Sequence, residues 1–479
     1  MIDRRREGNL EGREDVLEGP GFLYRPRQIL LEIERSWSFD ALQALRREGA
    51  APDEELTAAF SEADLPLRAF LLPAGVNIPE LVVRLRQRQD GDPVPNVGPN
   101  HVLSGEPDYH GGPYDEPRSA KPFPEDQYPE ADPGPAGLAV LDTGYDPSIQ
   151  TLHPRLAERI DYQNADIENA LTSQGYLADQ GGHGTFIEGI VMRVAPRLRI
   201  RQVKVLDPAG VGDDATVTLG IARADAPVIN LSLGGYTQQD LPPTALAVAL
   251  AQLDDTVAVV AAAGNHGSPE PFYPAALKGV VAVGGLDMSG DAPHLASFSD
   301  YGTWVDIYAP AVNMLSTYLR AEWKLPSDPA GRFIDGYACW DGTSFAAPIV
   351  SAMIADKIRQ GLTARQAQYA VLGPAPWLNG VGPVLIPSRG ILYPLSAVPE
   401  AHQRGGGQPG GRTVLGGRLR DRRERGGRSA AAADEPVPAV REPGGGLVGQ
   451  RQQRSDDGAG ADREQRRRQP GHLVAWPGR

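Results

Sequence analysis

The chain reads as an α/β protein with a mostly parallel central sheet covered by helices on both faces. Two observations predict this. Between residues 136 and 398, short apolar runs of strand length alternate with segments of helical period. The runs are apolar throughout rather than at every second residue, which is the pattern of strands buried on both faces. In such a sheet reactive groups collect at the carboxyl ends of strands, and Asp142 and Asn265 each fall at such an end.

Taken in order, residues 1–20 are charged and Gly-rich and are expected to be disordered. Residues 21–105 alternate short elements in an α+β pattern. Gln28-Ile29-Leu30-Leu31-Glu32-Ile33 predicts a strand, and residues 38–47 a helix with Ser38 or Asp40 near its start. Arg68-Ala69-Phe70-Leu71-Leu72 predicts a second strand. Residues 78–89 place Ile78, Leu81, Val82, Val83 and Leu85 on one helical face, and 94–103 predicts a closing strand. Residues 106–135 are rich in Pro, Gly, acids and Tyr, the composition of a linker and the place where a leading region would be cut off.

The main body, 136–398, predicts strands over 137–142, 199–206, 227–233, 256–262, 280–284 and 304–309. Helices are predicted over 183–194, 214–224, 243–253 and 343–360. The last zone, 399–479, is rich in Gly, Arg and Gln without periodicity, cannot bury a core and is expected to be disordered.

Charge divides the chain. The net charge is −14, with about +7 from residue 401 onward and about −21 before it. An acidic body argues against a nucleic-acid partner. The one cysteine, Cys339, cannot form an intrachain disulfide and reads as a small buried hydrophobe. No run of about 18 apolar residues occurs, so no membrane segment is expected. The start, Met1-Ile2-Asp3-Arg4-Arg5-Arg6-Glu7, is charged with no apolar run after it, which predicts a cytoplasmic protein. A start codon further upstream would instead permit secretion.

Three segments carry chemistry. Asp341-Gly342-Thr343-Ser344-Phe345-Ala346-Ala347-Pro348 places a serine where a helix begins, among free backbone N–H groups and in a field that favours negative charge. Gly182-His183-Gly184-Thr185 sets an imidazole between two glycines at the head of another helix. Leu138-Ala139-Val140-Leu141-Asp142-Thr143-Gly144 is a strand delivering a carboxylate. Serine is a poor nucleophile until a base lies within hydrogen-bond reach, and an imidazole works as that base when a carboxylate orients it. The order Asp, His, Ser, with no Gly-x-Ser-x-Gly, excludes an α/β-hydrolase esterase.

These segments resemble those of the subtilisin-like serine peptidases (peptidase family S8, the subtilases), with Phe345 where the family motif has Met. The resemblance implies a subtilisin-like three-layer fold and a serine endopeptidase acting on protein or peptide substrates. Asp142, His183 and Ser344 would be its catalytic residues and Asn265, in Ala262-Ala263-Gly264-Asn265, its oxyanion donor. It further implies that Ser232, Leu233 and Gly234 form one wall of the substrate site and Ala262, Ala263 and Gly264 the other. Phe272, just before Tyr273-Pro274, would narrow the pocket between them. Pro99-Asn100-His101-Val102 is similar to the end of the family's inhibitory prodomains, small βαββαβ folds that cover the catalytic face, so the chain's own N-terminal region is a candidate inhibitor. Relatives often bind structural calcium. Asp213-Asp214 or Asp161 and Asp166 could contribute ligands, but none has a recognisable spacing and no metal is assigned. The rival reading is a latent or non-catalytic protein that uses a peptidase fold for binding.

Overall fold

The computed structural model describes residues 13–33, 38–87, 95–105, 117–290, 292–325 and 328–387. The expectations for 1–12, for 106–116 and for the 399–479 tail fall outside the described residues.

The central sheet follows from the apolar runs. Its strand order is His294–Leu295, Val280–Asp287, Ala258–Ala262, Val228–Leu231, Leu138–Asp142, Ile200–Lys204, Ile160–Asp161, with Ile307–Pro310 also paired to Val280–Asp287. Every neighbouring pair is parallel except the short His294–Leu295 edge. Alternate residues of one strand enter different cores. Leu138 and Val140 pack under the helices His183–Val194 and Thr343–Arg359, while Ala139 and Leu141 pack under Asp214–Ala222 and Thr244–Gln252. That is why the run has no polar phase. By the same alternation Asp142 falls on the side of the helix that begins with His183.

The first strand of this sheet, Leu138–Asp142, lies between Ile200–Lys204 and Val228–Leu231, so the chain reverses its direction of winding beside Asp142. The carboxyl end of that strand is therefore a crevice where loops diverge.

Residues 17–105 build an antiparallel sheet in the order Val97–Gly105, Phe22–Glu32, Leu67–Leu71, Ala51–Pro52. Ser38–Arg47 and Ile78–Arg86 cover one face through Ala41, Leu45, Ile78, Leu81 and Val82. The other face, with Leu30, Leu67 and Ala69, packs on Phe60 and on Ala215, Ala245, Val248 and Ala249 of the main body. Two features exceed the βαββαβ pattern. Leu17–Gly19 pairs with Phe22–Tyr24, so the disorder expected up to residue 20 does not extend to these residues. An additional helix, Glu54–Glu62, is capped by Asp53, whose carboxylate accepts from Leu56 N–H at 3.2 Å. Its signal was present in Asp53 followed by Glu54 and Glu55, with Leu56 and Phe60 one turn apart.

A long antiparallel hairpin, Met314–Leu325 with Asp328–Trp340, has no counterpart in the predicted elements. Ser316, Thr317, Arg320, Glu322 and Lys324 interrupt its apolar pattern. Ser316 and Thr317 are nevertheless buried, because their hydroxyls donate to the carbonyls of Phe186 and Thr185 in the His183 helix. Residues 117–135, within the stretch of linker composition, add the short strand Arg118–Ser119 to this hairpin and bury Phe123.

Candidate active site

Asp142 and His183 meet in the crevice. His183 Nδ1 lies 2.8 Å from Asp142 Oδ1, and both side chains are fully buried. A carboxylate only accepts, so Nδ1 carries the proton of this contact. The same Asp142 oxygen accepts from Thr143 N–H at 2.8 Å, which fixes the carboxylate plane.

His183 is the first residue of its helix. Gly182 before it adopts φ 81°, a left-handed conformation natural to glycine. Two side chains tie this turn to the Asp142 loop. Thr143 Oγ1 accepts from Gly184 N–H at 3.2 Å, and Glu168 Oε1 accepts from Gly182 N–H at 2.9 Å. Burial holds the Glu168 carboxyl up at about 8. Nearby Glu188 is likewise raised well above its usual range, first by burial and then by Asp142. The amide of Gln202, oriented by its partners, donates to Glu188 Oε1 at 2.8 Å and accepts from Gly144 N–H at 3.2 Å. The imidazole is bounded by Trp340 at 5.6 Å, edge-on, and by Phe345 at 5.5 Å.

Ser344 is the second residue of the helix Thr343–Arg359. Its carbonyl accepts from Ser232 Oγ at 2.7 Å and its own Oγ lies 3.3 Å from the Ser232 carbonyl, which joins the serine to the expected substrate wall. Asn265 turns its carbonyl oxygen inward, accepting from Thr343 N–H at 2.9 Å and from Thr343 Oγ1 at 2.8 Å. That leaves the Nδ2 donor buried and without a partner, 3.5 Å from where a side chain at Gly342 would begin. An orphaned buried donor beside a serine at a helix N-terminus suits an oxygen that becomes negative during reaction.

The two expected walls run alongside. Leu233–Gly234 and Ala258–Ala262 are buried, and Ala263 and Gly264 continue the second wall. Between Gly234 and Gly264 stands the ring of Phe272. The open edge of the first wall is already paired. The end of the N-terminal strand lies antiparallel to it, Ser104 opposite Gly234 and Gly105 opposite Leu233. On its other side the same strand pairs with Val211–Asp213.

The acids weighed as metal ligands are engaged otherwise. Asp161 pairs with Arg199 at 2.5 Å, Asp166 with Arg201 and Arg223, and Asp213 with Arg25. Asp214 accepts from the N–H groups of Ala245 and Leu246. Cys339 is buried, and burial pushes its thiol up to about 11, so it carries no thiolate chemistry near neutrality. Glu168, Glu188 and Trp340 went unnoticed in the sequence, since each is an isolated residue outside any pattern.

Residues 136–384 match the model of the subtilase family, Peptidase_S8. A thermophilic serine proteinase of Bacillus sp. (strain AK1) is 35% identical over 260 residues, 51% of this chain and 57% of that protein. Thermitase of Thermoactinomyces vulgaris is 33% identical over 260 residues, 52% of this chain and 83% of its own length. A thermostable alkaline protease of Halalkalibacterium halodurans is 33% identical over 233 residues, 46% of this chain and 56% of the relative. The matched stretch thus spans little more than half of two of these three relatives. A solved structure of a cold adapted subtilisin-like serine proteinase aligns at 25% identity and a TM-score of 0.39, over 52% of this chain and 87% of that one.

Proposed function

The chain belongs to the subtilase family, and we propose that it is a serine endopeptidase whose Ser344, His183 and Asp142 act as one unit on a peptide bond. The reading rests first on the 2.8 Å contact between His183 Nδ1 and Asp142, which makes Nε2 the basic nitrogen of the ring. Ser344 Oγ attacks the scissile carbonyl carbon as its proton passes to His183 Nε2, and Asp142 stabilises the imidazolium. The carbonyl oxygen becomes an oxyanion held by Asn265 Nδ2 and by the N–H of Ser344. Collapse expels the amine, which takes the proton from His183. Water then repeats the sequence on the acyl-enzyme and frees the serine.

The substrate would lie as an extended strand against Leu233–Gly234, held by backbone hydrogen bonds that read little of the side chains. In the intact chain that place is taken by residues 104–105, which supports the N-terminal region as an intramolecular inhibitor and the chain as a latent form. The test is a fluorophosphonate label on Ser344 together with the intact mass of the wild type and of Ser344→Ala. Labelling that disappears in the variant, with a shortened wild type beside a full-length variant, is the expected result. An unlabelled, full-length wild type that also leaves casein intact, before and after limited proteolysis of residues 106–135, would leave only the binding reading.

A further inference from the structure

We infer that Phe272 fills the pocket that would take the side chain before the cleaved bond, so that cleavage follows glycine, alanine or serine. The inference rests on the endopeptidase reading above and names its substrate class.

Gly234 and Gly264 face the same space from the two walls. A side chain begun at Gly234 would overlap the edge of the Phe272 ring, and one begun at Gly264 would lie 3.0 Å from Phe272 Cγ. The ring therefore touches both walls at once, and it is 1% exposed. A benzene ring in that position leaves room for a hydrogen, a methyl or a hydroxymethyl group, not for a second large side chain.

The ring is braced from several sides. Tyr236 meets it edge-on at 5.2 Å, and the Tyr236 hydroxyl donates to Asp300 Oδ2 at 2.9 Å. Asp300 is fully buried, and its Oδ1 accepts from His266 N–H at 2.9 Å and Ser268 N–H at 2.8 Å, which fastens the loop leading to Phe272. On the other side Tyr273 exchanges two backbone hydrogen bonds with Gly235, at 2.8 and 3.0 Å. Swinging the ring out would expose a buried aromatic and disturb these bonds, so a large substrate side chain has no ready means of displacing it.

The experiment is a peptide-library digest by the full chain, with cut sites read by mass spectrometry and Ser344 labelling measured in parallel. The wild type is expected to cut after Gly, Ala or Ser at least about tenfold faster than after Phe, Leu or Tyr, the low end of the discrimination a single methylene gives in a closed pocket. Phe272→Gly and the milder Phe272→Leu are expected to raise cleavage after large residues, with the larger gain in the glycine variant. A labelled wild type that cuts after Phe or Leu as fast as after Ala overturns the inference while leaving the endopeptidase reading intact. So does a labelled Phe272→Leu or Phe272→Gly with the wild-type profile. A wild type that neither labels nor cuts any peptide, before and after limited proteolysis of residues 106–135, overturns both.

Discussion

Glu168 accepts a hydrogen bond from Gly182 N–H at 2.9 Å, one residue ahead of His183. With Thr143 receiving the N–H of Gly184, the imidazole is bracketed on both sides by bonds leading back to the loop after Asp142. Glu168 is thus a positioning residue for a pair it does not touch in sequence.

Replacing it separates the hydrogen bond from the titrating proton. Glu168→Gln keeps an acceptor for Gly182 and is expected to retain most of the turnover. Glu168→Ala leaves a buried N–H unpaired, at a cost of about 1–3 kcal/mol in stability. It is expected to lower kcat with little change in KM, because the substrate walls at 232–234 and 262–264 are untouched. Steady-state kinetics with one peptide decide it; equal kcat in the wild type and the alanine variant would remove the positioning role.

The same residue predicts a pH dependence. Burial holds Glu168 up at about 8 and Asp214 at about 7, so both keep a proton in the folded protein that the unfolded chain releases near pH 4–5. Their contribution is fully present below the unfolded values and is lost as pH rises toward 7 and 8. The slope is at most about 1.4 kcal/mol per pH unit for each group. Denaturant unfolding between pH 5 and 8 should show stability falling as pH rises, and Glu168→Gln should flatten part of that fall. Glu188 acts in the same direction.

His101 predicts the opposite trend on the acid side. It is fully buried, its Nε2 accepts from Gln238 N–H at 3.1 Å, and burial, then Arg86, pushes it down to about 3. The unfolded chain takes up a proton below about pH 6.5 while the folded chain does not. Stability from this site is therefore lost as pH falls from about 6.5 toward 3. Since His101 lies on the strand that pairs with Leu233–Gly234, the protection factors of amides 97–105, taken relative to the intrinsic rate at each pH, should be smaller at pH 5 than at pH 7.5. Unchanged protection would show that the strand is held without it.

Asn265 holds Thr343 through one atom and is proposed to hold the oxyanion through the other, and two variants divide the two. Asn265→Ala loses both the acceptor that holds Thr343 and the free Nδ2 donor. Asn265→Asp keeps the acceptor and loses the donor. Both are expected to lower kcat by about 10²–10³, the magnitude known for the corresponding donor in subtilisin itself. Only the alanine variant should also lower the melting temperature by loosening the helix start. An aspartate variant with wild-type kcat would take the oxyanion role away.

The elements that carry the candidate site were legible in the sequence because each depends on a short stretch of chain. The strand ending at Asp142, the helix beginning at His183 and the helix carrying Ser344 each have a local pattern of apolar period and flanking glycine. Phe272 was visible beside Tyr273-Pro274, but the direction of its ring was not. The hairpin 314–340 escaped because its buried hydroxyls are satisfied by carbonyls of a helix more than 120 residues earlier.

By itself, then, the sequence determined the family and the elements on which Asp142, His183 and Ser344 ride, because helix and strand periods are local properties. Only the tertiary structure decided what surrounds them: the Glu168 bracket, the filled space between Gly234 and Gly264, and residues 104–105 paired with Leu233–Gly234. The physical reason is that backbone pairing and close packing join residues far apart in the chain, through atoms that no single stretch of sequence displays.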